Sequence, residues 1–338
     1  LGIAYARNGR SEDAIRAFQV ALQIDPNFVG AHYNLGVAYR EQERWDEAIH
    51  QFQTALHINP EHVGCLSNLA AVYLAKGRWD EAVQQYQTAL RISPDKAQAH
   101  YNLGVAYAEQ GRWNEAIGEH QAALLINPTH RNSHNNLGIA YAEQGRWEEA
   151  AREFDAILRI TPEDAKAHFM LGVAYANQAL SDLEIREYQA ALRIDPNFIE
   201  ARENLAAAYA DQGRWQEAEA ELQALLRTNP DNAQVRYNLG YAYGGQGDSE
   251  KEIREYEAAL RIDPDFADAH FNLAVAYWEQ GHREQALCRF RDAARLGHSR
   301  AGHVLADLGG DMISDEERLP GTENADRHFN LGVSLARQ

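Results

Sequence analysis

The sequence is poor in cysteine, lacks long apolar runs and has a deficit of basic residues. Only two of its 338 residues are cysteines, Cys65 and Cys288, and they lie far apart in the chain. Two unpaired thiols are typical of a reducing compartment, so we expect a cytoplasmic protein. No run of apolar residues is long enough to span a bilayer, so we expect no membrane partner.

The deficit of basic residues argues against nucleic acid as a partner. The chain has 32 Lys and Arg residues against 50 Asp and Glu residues, which gives a formal net charge of −18. A surface of this sign repels phosphate backbones and favours neutral or basic partners. The alternative is that the acidity serves only to keep a long helical chain soluble.

The residue patterns of catalysis are also missing. No serine, cysteine or carboxylate residues have the spacing of a catalytic constellation. We therefore expect that the protein is not an enzyme and holds no cofactor.

A proline recurs every 34 residues through most of the chain. The series is Pro26, Pro60, Pro94, Pro128, Pro162, Pro196, Pro230 and Pro264. A fixed period of this length indicates one helix–turn–helix unit repeated in tandem. The sequence therefore predicts an all-α fold, an α-solenoid in which each unit contacts only its neighbours.

We number each repeat so that its proline is position 32. The complete repeats are then 29–62, 63–96, 97–130, 131–164, 165–198, 199–232, 233–266 and 267–300. Residues 1–28 are a partial repeat, and the predicted array spans residues 1–300. Residues 301–324 are predicted to form an irregular connector with a short helix, and residues 325–338 the first helix of another, truncated repeat. We expect that the protein continues beyond both ends, so any signal peptide or further domain would lie outside this sequence.

Two apolar stripes recur in every repeat. In the first helix, position 7 is leucine, position 8 is glycine or alanine and position 11 is tyrosine, as in Leu35, Gly36 and Tyr39. In the second helix, position 20 is usually alanine and position 24 usually aromatic, as in Ala48 and Phe52. A glycine at position 15 is suited to end the first helix, and the proline to end the second.

The segment AHYNLGVAYREQERWDEAIHQFQTALHINP, residues 31–60, resembles the tetratricopeptide repeat. The resemblance covers residues 1–300, and residues 293–310 resemble the Sel-like variant of the repeat. It implies a right-handed superhelix of antiparallel helix pairs, in which the first helices line the concave face.

Histidines recur at position 4. They are His32, His100, His134, His168, His270 and His328. They occur once per repeat on the packing stripe, so equivalent histidines are too far apart to share an ion. We interpret them as packing residues and expect no metal site.

The resemblance places positions 2, 5, 6, 9, 12 and 13 on the concave face, where position 6 is almost always asparagine. These residues are Asn34, Asn68, Asn102, Asn136, Asn204, Asn238 and Asn272, with Met170 at the same position in repeat 165–198. An asparagine amide can both donate and accept, so a row of them could hold the backbone of an extended peptide. The concave face of O-GlcNAc transferase repeats, which this array resembles, uses the same device. The alternative is that these amides link neighbouring first helices.

Aromatic and acidic residues flank this predicted asparagine ladder. At position 5 they are Tyr33, Tyr101, Phe169, Tyr237 and Phe271. At position 13 they include Glu109, Glu143 and Asp211. Together with the asparagines they are the predicted contacts of a partner that carries interspersed lysine or arginine.

Repeats 165–198 and 233–266 have serine at position 17 and glutamate at position 20. Ser181 with Glu184, and Ser249 with Glu252, have the spacing of a capping box. Because glutamate replaces the small alanine, we expect looser packing within these repeats.

These patterns favour a scaffold that binds an extended, neutral-to-basic peptide segment of another protein in its groove. One alternative is an assembly module that self-associates through its terminal half-repeats. Another is the substrate-recruiting arm of a glycosyltransferase whose catalytic region lies outside this chain.

Overall fold

The computed structural model describes residues 1–310 of the chain, and the helices there follow the 34-residue period. In chain order they are α1 (Gly2–Arg7), α2 (Ser11–Ile24), α3 (Val29–Glu41), α4 (Trp45–Ile58), α5 (Val63–Ala75), α6 (Trp79–Ile92), α7 (Ala97–Glu109), α8 (Trp113–Ile126), α9 (Arg131–Glu143), α10 (Trp147–Ile160), α11 (Ala165–Ala176), α12 (Ser181–Ile194), α13 (Ile199–Asp211), α14 (Trp215–Thr228), α15 (Ala233–Gln246), α16 (Ser249–Ile262), α17 (Ala267–Glu279), α18 (Arg283–Arg295) and α19 (Ala301–Gly310). The prediction of an all-α solenoid is confirmed.

Residues 301–310 of the predicted connector form α19, which packs against α18. The rest of that connector, residues 311–324, and the predicted helix at 325–338 lie outside the described residues.

The turn between the two helices of a repeat places position 15 in the left-handed region. Gly77, Gly111 and Gly145 have φ angles of 68°, 69° and 71°. Glu43 and Ala179 occupy the same position and adopt φ angles of 57° and 56° although they are not glycine. The repeat therefore imposes this conformation, and glycine only makes it less costly.

The chain divides into two compact units, of which the first is Leu1–Glu163. In its core, Leu35 and Tyr39 of α3 pack with Phe52 of α4 and Leu69 of α5. Gly36 lies against the Phe52 ring so closely that an added Cβ would be 2.6 Å from ring carbon Cε1. The small residue at position 8 thus lets the two helices of a repeat pack closely.

The second unit begins at Asp164 and repeats the same arrangement. Leu205 and Tyr209 of α13 pack with Leu222 of α14 and Leu239 of α15. A further cluster joins Leu273 and Tyr277 of α17 to Phe290 of α18. Both predicted stripes are therefore core positions in this unit too.

The predicted capping boxes are wrong. Helix α12 starts at Ser181 after Leu180, which makes no side-chain cap. Helix α16 starts at Ser249, and it is Asp248 that accepts the Lys251 backbone N–H at 3.2 Å. Each helix begins one residue earlier than a serine N-cap would require, so Glu184 and Glu252 sit within the first turn. Glu252 is 1% exposed.

Within residues 1–310, we find no helix that combines the length and the apolar character required to cross a membrane.

Candidate functional site

The first helices α7 and α9 each present a solvent-accessible stripe opposite their buried face. On α7 the stripe is Gln98, Asn102, Val105 and Glu109, at positions 2, 6, 9 and 13, while Leu103 on the other face is buried. On α9 the same positions hold Asn132, Asn136, Ile139 and Glu143. These residues are four, three and four apart, so they follow one face of a helix. We call them the α7 and α9 stripes.

The amides at position 6 of the first unit are partly exposed and satisfy only part of their hydrogen-bonding capacity locally. Asn34 donates to the Gly30 carbonyl at 2.6 Å, and Asn68 donates to the Gly64 carbonyl at 2.8 Å. The Asn102 oxygen accepts from Gln98 at 3.0 Å. The Asn136 oxygen accepts from the neighbouring Asn135 at 3.1 Å.

In the second unit the same position is buried, which differs from the expectation of an open ladder. Asn204, Asn238 and Asn272 are 9%, 7% and 5% exposed. Asn272 donates to the Tyr237 hydroxyl at 2.8 Å and so links α17 to α15. Met170 is also buried, at 8%. The linking role considered for these amides is therefore seen in both units, because in the first unit the Asn68 oxygen accepts from Arg40 of α3.

The aromatic residues at position 5 pack against rings at or near the end of their own repeat instead of standing free beside the asparagines. Their ring-centroid distances are Tyr33–His62 5.2 Å, Tyr101–His130 5.1 Å, Phe169–Phe198 5.0 Å, Tyr237–Phe266 4.9 Å and Phe271–His298 4.1 Å. Tyr237 and Phe271 are buried, whereas the first three are partly exposed. This corrects the expectation that all five rings flank an open groove.

The sequence carried a signal for these ring pairs. Position 34 is aromatic or histidine in repeats 29–62, 97–130, 165–198 and 233–266, and these are repeats with an aromatic position 5. In the three intervening repeats both positions are polar or charged. Comparing the two positions along the chain would have predicted the contact.

The acidic residues at position 13 lie at the C-terminal ends of their helices. Glu109, Glu143 and Asp211 are exposed. Desolvation raises the pKa of the Asp211 carboxyl. Partial burial and the charge of Asp211 raise the pKa of Glu184 to about 7, so α12 and α13 share an acidic surface.

The sequence pattern did not predict that the side chain at position 4 bonds both to position 23 of its own repeat and to the proline carbonyl six residues before it. We call this pair of contacts the clamp. The two ring nitrogens of His100 lie 2.6 Å from a Glu119 oxygen and 3.0 Å from the Pro94 carbonyl oxygen of the preceding repeat. His134 makes the same contacts with Glu153 and Pro128, and the hydrogen bond to Glu153 raises its pKa.

Arginine replaces histidine in this clamp in repeats 199–232 and 233–266 of the second unit. Arg236 donates to the Glu255 carboxylate at 2.9 Å and to the Pro230 carbonyl at 3.0 Å. The clamp thus ties both helices of one repeat to the turn before it. Among residues 1–310, no three His, Cys, Asp or Glu residues are grouped so that they could hold a metal ion.

His120 is an exception within the first unit. It occupies position 24, where most repeats have a phenyl or phenol ring, and its side chain is fully buried beside Gly104. Neither ring nitrogen has a hydrogen-bond partner among the described residues. Desolvation, with a smaller contribution from His130, lowers its pKa to about 4.

Comparison with protein-family models matches most of the chain to one family. Models described as "Tetratricopeptide repeat" match residues 1–63, 135–197, 95–163, 39–88 and 185–243. A model described as "TPR repeat" matches residues 72–111 and 246–281. A comparison with curated proteins found no match to this chain.

Solved structures share the fold at low sequence identity. YrrB, described as a TPR protein with an unusual peptide-binding site, aligns with a TM-score of 0.51 and 22% identity over 55% of this chain and 95% of that one. The C-terminal part of a TPR repeat-containing protein from Cytophaga hutchinsonii aligns with a TM-score of 0.54 and 18% identity over 79% and 96%. PilF from Pseudomonas aeruginosa aligns with a TM-score of 0.50 and 19% identity over 60% and 92%. The family-model matches, which together cover most of the chain, show that the chain belongs to the tetratricopeptide-repeat family.

Proposed function

We propose that the chain is a non-enzymatic scaffold that holds an extended, neutral-to-basic segment of another protein against the exposed faces of its first helices. The observation that carries the proposal is the stripe of amide, aliphatic and carboxylate side chains that α7 and α9 share. Packing does not require these polar side chains, because the buried face of each helix already supplies the contacts to its neighbours.

An extended segment suits this surface chemically. Its backbone offers one carbonyl and one N–H per residue, and an exposed asparagine amide can pair with either. The net charge of −18 would draw in a basic partner and repel nucleic acid. YrrB, which shares the fold, is described as having a peptide-binding site, which supports a similar use of the fold here.

Two asparagine variants test the proposal. Binding to an array of short synthetic peptides would be measured for the parent protein, for Asn102→Ala with Asn136→Ala, and for Asn272→Ala as the matched control. The double variant should weaken binding about five- to a hundredfold, because each lost hydrogen bond is worth about 0.5–1.5 kcal/mol. Its melting temperature should change little, since both amides are partly exposed.

The control should behave in the opposite way. Asn272→Ala removes the buried link to the Tyr237 hydroxyl and should lower the melting temperature. Unchanged peptide affinity in the double variant, together with a lower melting temperature, would show that the position-6 amides of α7 and α9 are structural and would refute the proposal.

A further inference from the structure

The α7 and α9 stripes differ from the other first-helix faces of their unit in the hydrogen-bonding groups that they leave available. In α3 and α5, Asn34 and Asn68 donate their amide N–H to carbonyls of their own helix. In α7 and α9, Asn102 and Asn136 instead use their oxygens, as acceptors from Gln98 and Asn135. Their N–H groups are therefore available as donors, and a peptide carbonyl is the natural acceptor.

Two buried polar groups lie below these helices. The Tyr86 hydroxyl is buried, and the Asn102 side chain lies within hydrogen-bonding reach of it. His120 holds the equivalent position one repeat later, and its ring nitrogens have no partner among the described residues. Because the Asn102 amide nitrogen carries two N–H groups, one can approach the Tyr86 hydroxyl while the other is available to a ligand.

The carboxylates at the end of the stripes lack cationic partners. Glu109 and Glu143 are exposed, and neither forms an ion pair with any residue in the described part of the chain. The nearby arginines are engaged elsewhere: Arg112 pairs with Glu115 at 2.8 Å, and Arg146 pairs with Glu149 at 2.8 Å. Two carboxylates one repeat apart therefore have no basic side chain of their own.

Helices α7 and α9 contact each other directly. Packed helices lie about 8–10 Å apart, and an extended chain advances about 3.3 Å per residue. The step from one stripe to the next therefore corresponds to about three residues of an extended segment.

We infer that the α7 and α9 stripes select a partner segment with two basic side chains about three residues apart. The Asn102 and Asn136 N–H groups bind its backbone carbonyls, and Val105 and Ile139 contact the aliphatic parts of its side chains. Glu109 and Glu143 each bind one of the two cations. The inference rests on the proposed function, since it specifies which partner sequence the same surface prefers.

The test uses a fluorescein-labelled peptide of serine, threonine and glycine with two lysines three positions apart. Its affinity would be measured by fluorescence anisotropy for the full chain, for Glu109→Gln with Glu143→Gln, and for Glu148→Gln with Glu12→Gln as the matched control. The control changes the net charge equally but alters exposed carboxylates outside the stripes. We expect the first pair to weaken binding about three- to tenfold, as for two exposed ion pairs. The control pair should leave the affinity unchanged.

The spacing is tested separately with a peptide of the same composition whose lysines are adjacent, which should bind more weakly. Equal loss of affinity in both glutamate pairs would show that only the overall charge matters and would overturn the inference. Equal binding of the two peptides would also overturn it.

The outcome for the asparagine variants separates the two ideas. If Asn102→Ala with Asn136→Ala weakens peptide binding while Glu109→Gln with Glu143→Gln does not, the proposed function stands and the basic-pair inference is wrong. If neither pair of variants changes the affinity, both are wrong.

Discussion

Replacement of His120 by phenylalanine should stabilise the protein and reduce its sensitivity to acid. His120 is fully buried and its ring nitrogens have no partner among the described residues. At neutral pH the ring is uncharged, and a buried unsatisfied polar group costs about 1–3 kcal/mol. Phenylalanine fits the site, because Phe154 occupies position 24 of the next repeat and packs on Gly138 as His120 packs on Gly104.

The pH dependence follows from the direction of the pKa shift. Burial lowers the His120 pKa from 6.5 to about 4, so the unfolded chain binds the proton more tightly. The stability due to the neutral ring is present above about pH 6.5 and is lost as the pH falls towards 4. Between about pH 7.5 and pH 5, this linkage removes about 2 kcal/mol of stability.

Hydrogen exchange of the α8 segment is the suitable assay, because repeat arrays need not unfold in one step. In His120→Phe the exchange rates of α8 should fall. The free energy of opening derived from them should also lose about 2 kcal/mol less between about pH 7.5 and pH 5 than in the parent protein. The reciprocal variant Phe154→His should bring acid sensitivity to α10. If His120→Phe leaves the pH dependence of α8 unchanged, or lowers its protection at neutral pH, the assigned burial penalty is wrong.

Four other substitutions test the packing and the turns. Glu184→Ala restores the usual small residue. Because the Glu184 pKa is raised to about 7, its neutral form contributes stability below pH 4.5 that is lost as the pH rises through 7. The gain should therefore be largest near pH 8, about 1–2 kcal/mol after allowance for partial exposure, as measured by exchange in α12. Gly138→Ala should cost about 1–3 kcal/mol in chemical denaturation, because its Cβ would lie 2.7 Å from the Phe154 ring, whereas Gly118→Ala meets no atom within 4 Å and should stabilise its helix. Glu43→Gly should raise the melting temperature by relieving a left-handed conformation worth about 1 kcal/mol; a lower melting temperature would contradict this.

The period of the sequence was sufficient to predict the helices, because the spacing of proline, glycine, leucine and tyrosine is set by contacts within one repeat. The left-handed turn at Glu43 was implied by its position and not by its residue type. The predicted N-caps Ser181 and Ser249 were wrong by one residue, because the same short motif fits two registers of a helix N-terminus.

The candidate site was harder to predict, because identical asparagines have different surroundings. Asn102 is partly exposed on α7, whereas Asn272 is buried where Tyr237 offers a hydroxyl to it. The clamp of His100 was missed because its partners lie 19 and 6 residues away on opposite sides in the sequence. Only the folded repeat brings those three groups together.

The clamp has a consequence for how such a chain can change its length. Each clamp joins position 4 to position 23 of the same repeat and to the proline six residues before it. A deletion of residues 97–130 would place the Pro94 carbonyl six residues before His134, which would still meet Glu153. Tyr101 and His130 would leave together, so no ring would lose its partner. Gain or loss of a whole repeat should therefore leave the clamp and the ring contacts at the new junction intact. The variant without residues 97–130 should keep its helical circular dichroism per residue, whereas a variant without residues 97–113 should lose part of it. Recombination in multiples of 34 residues therefore offers the gene a tolerated route to arrays of other lengths.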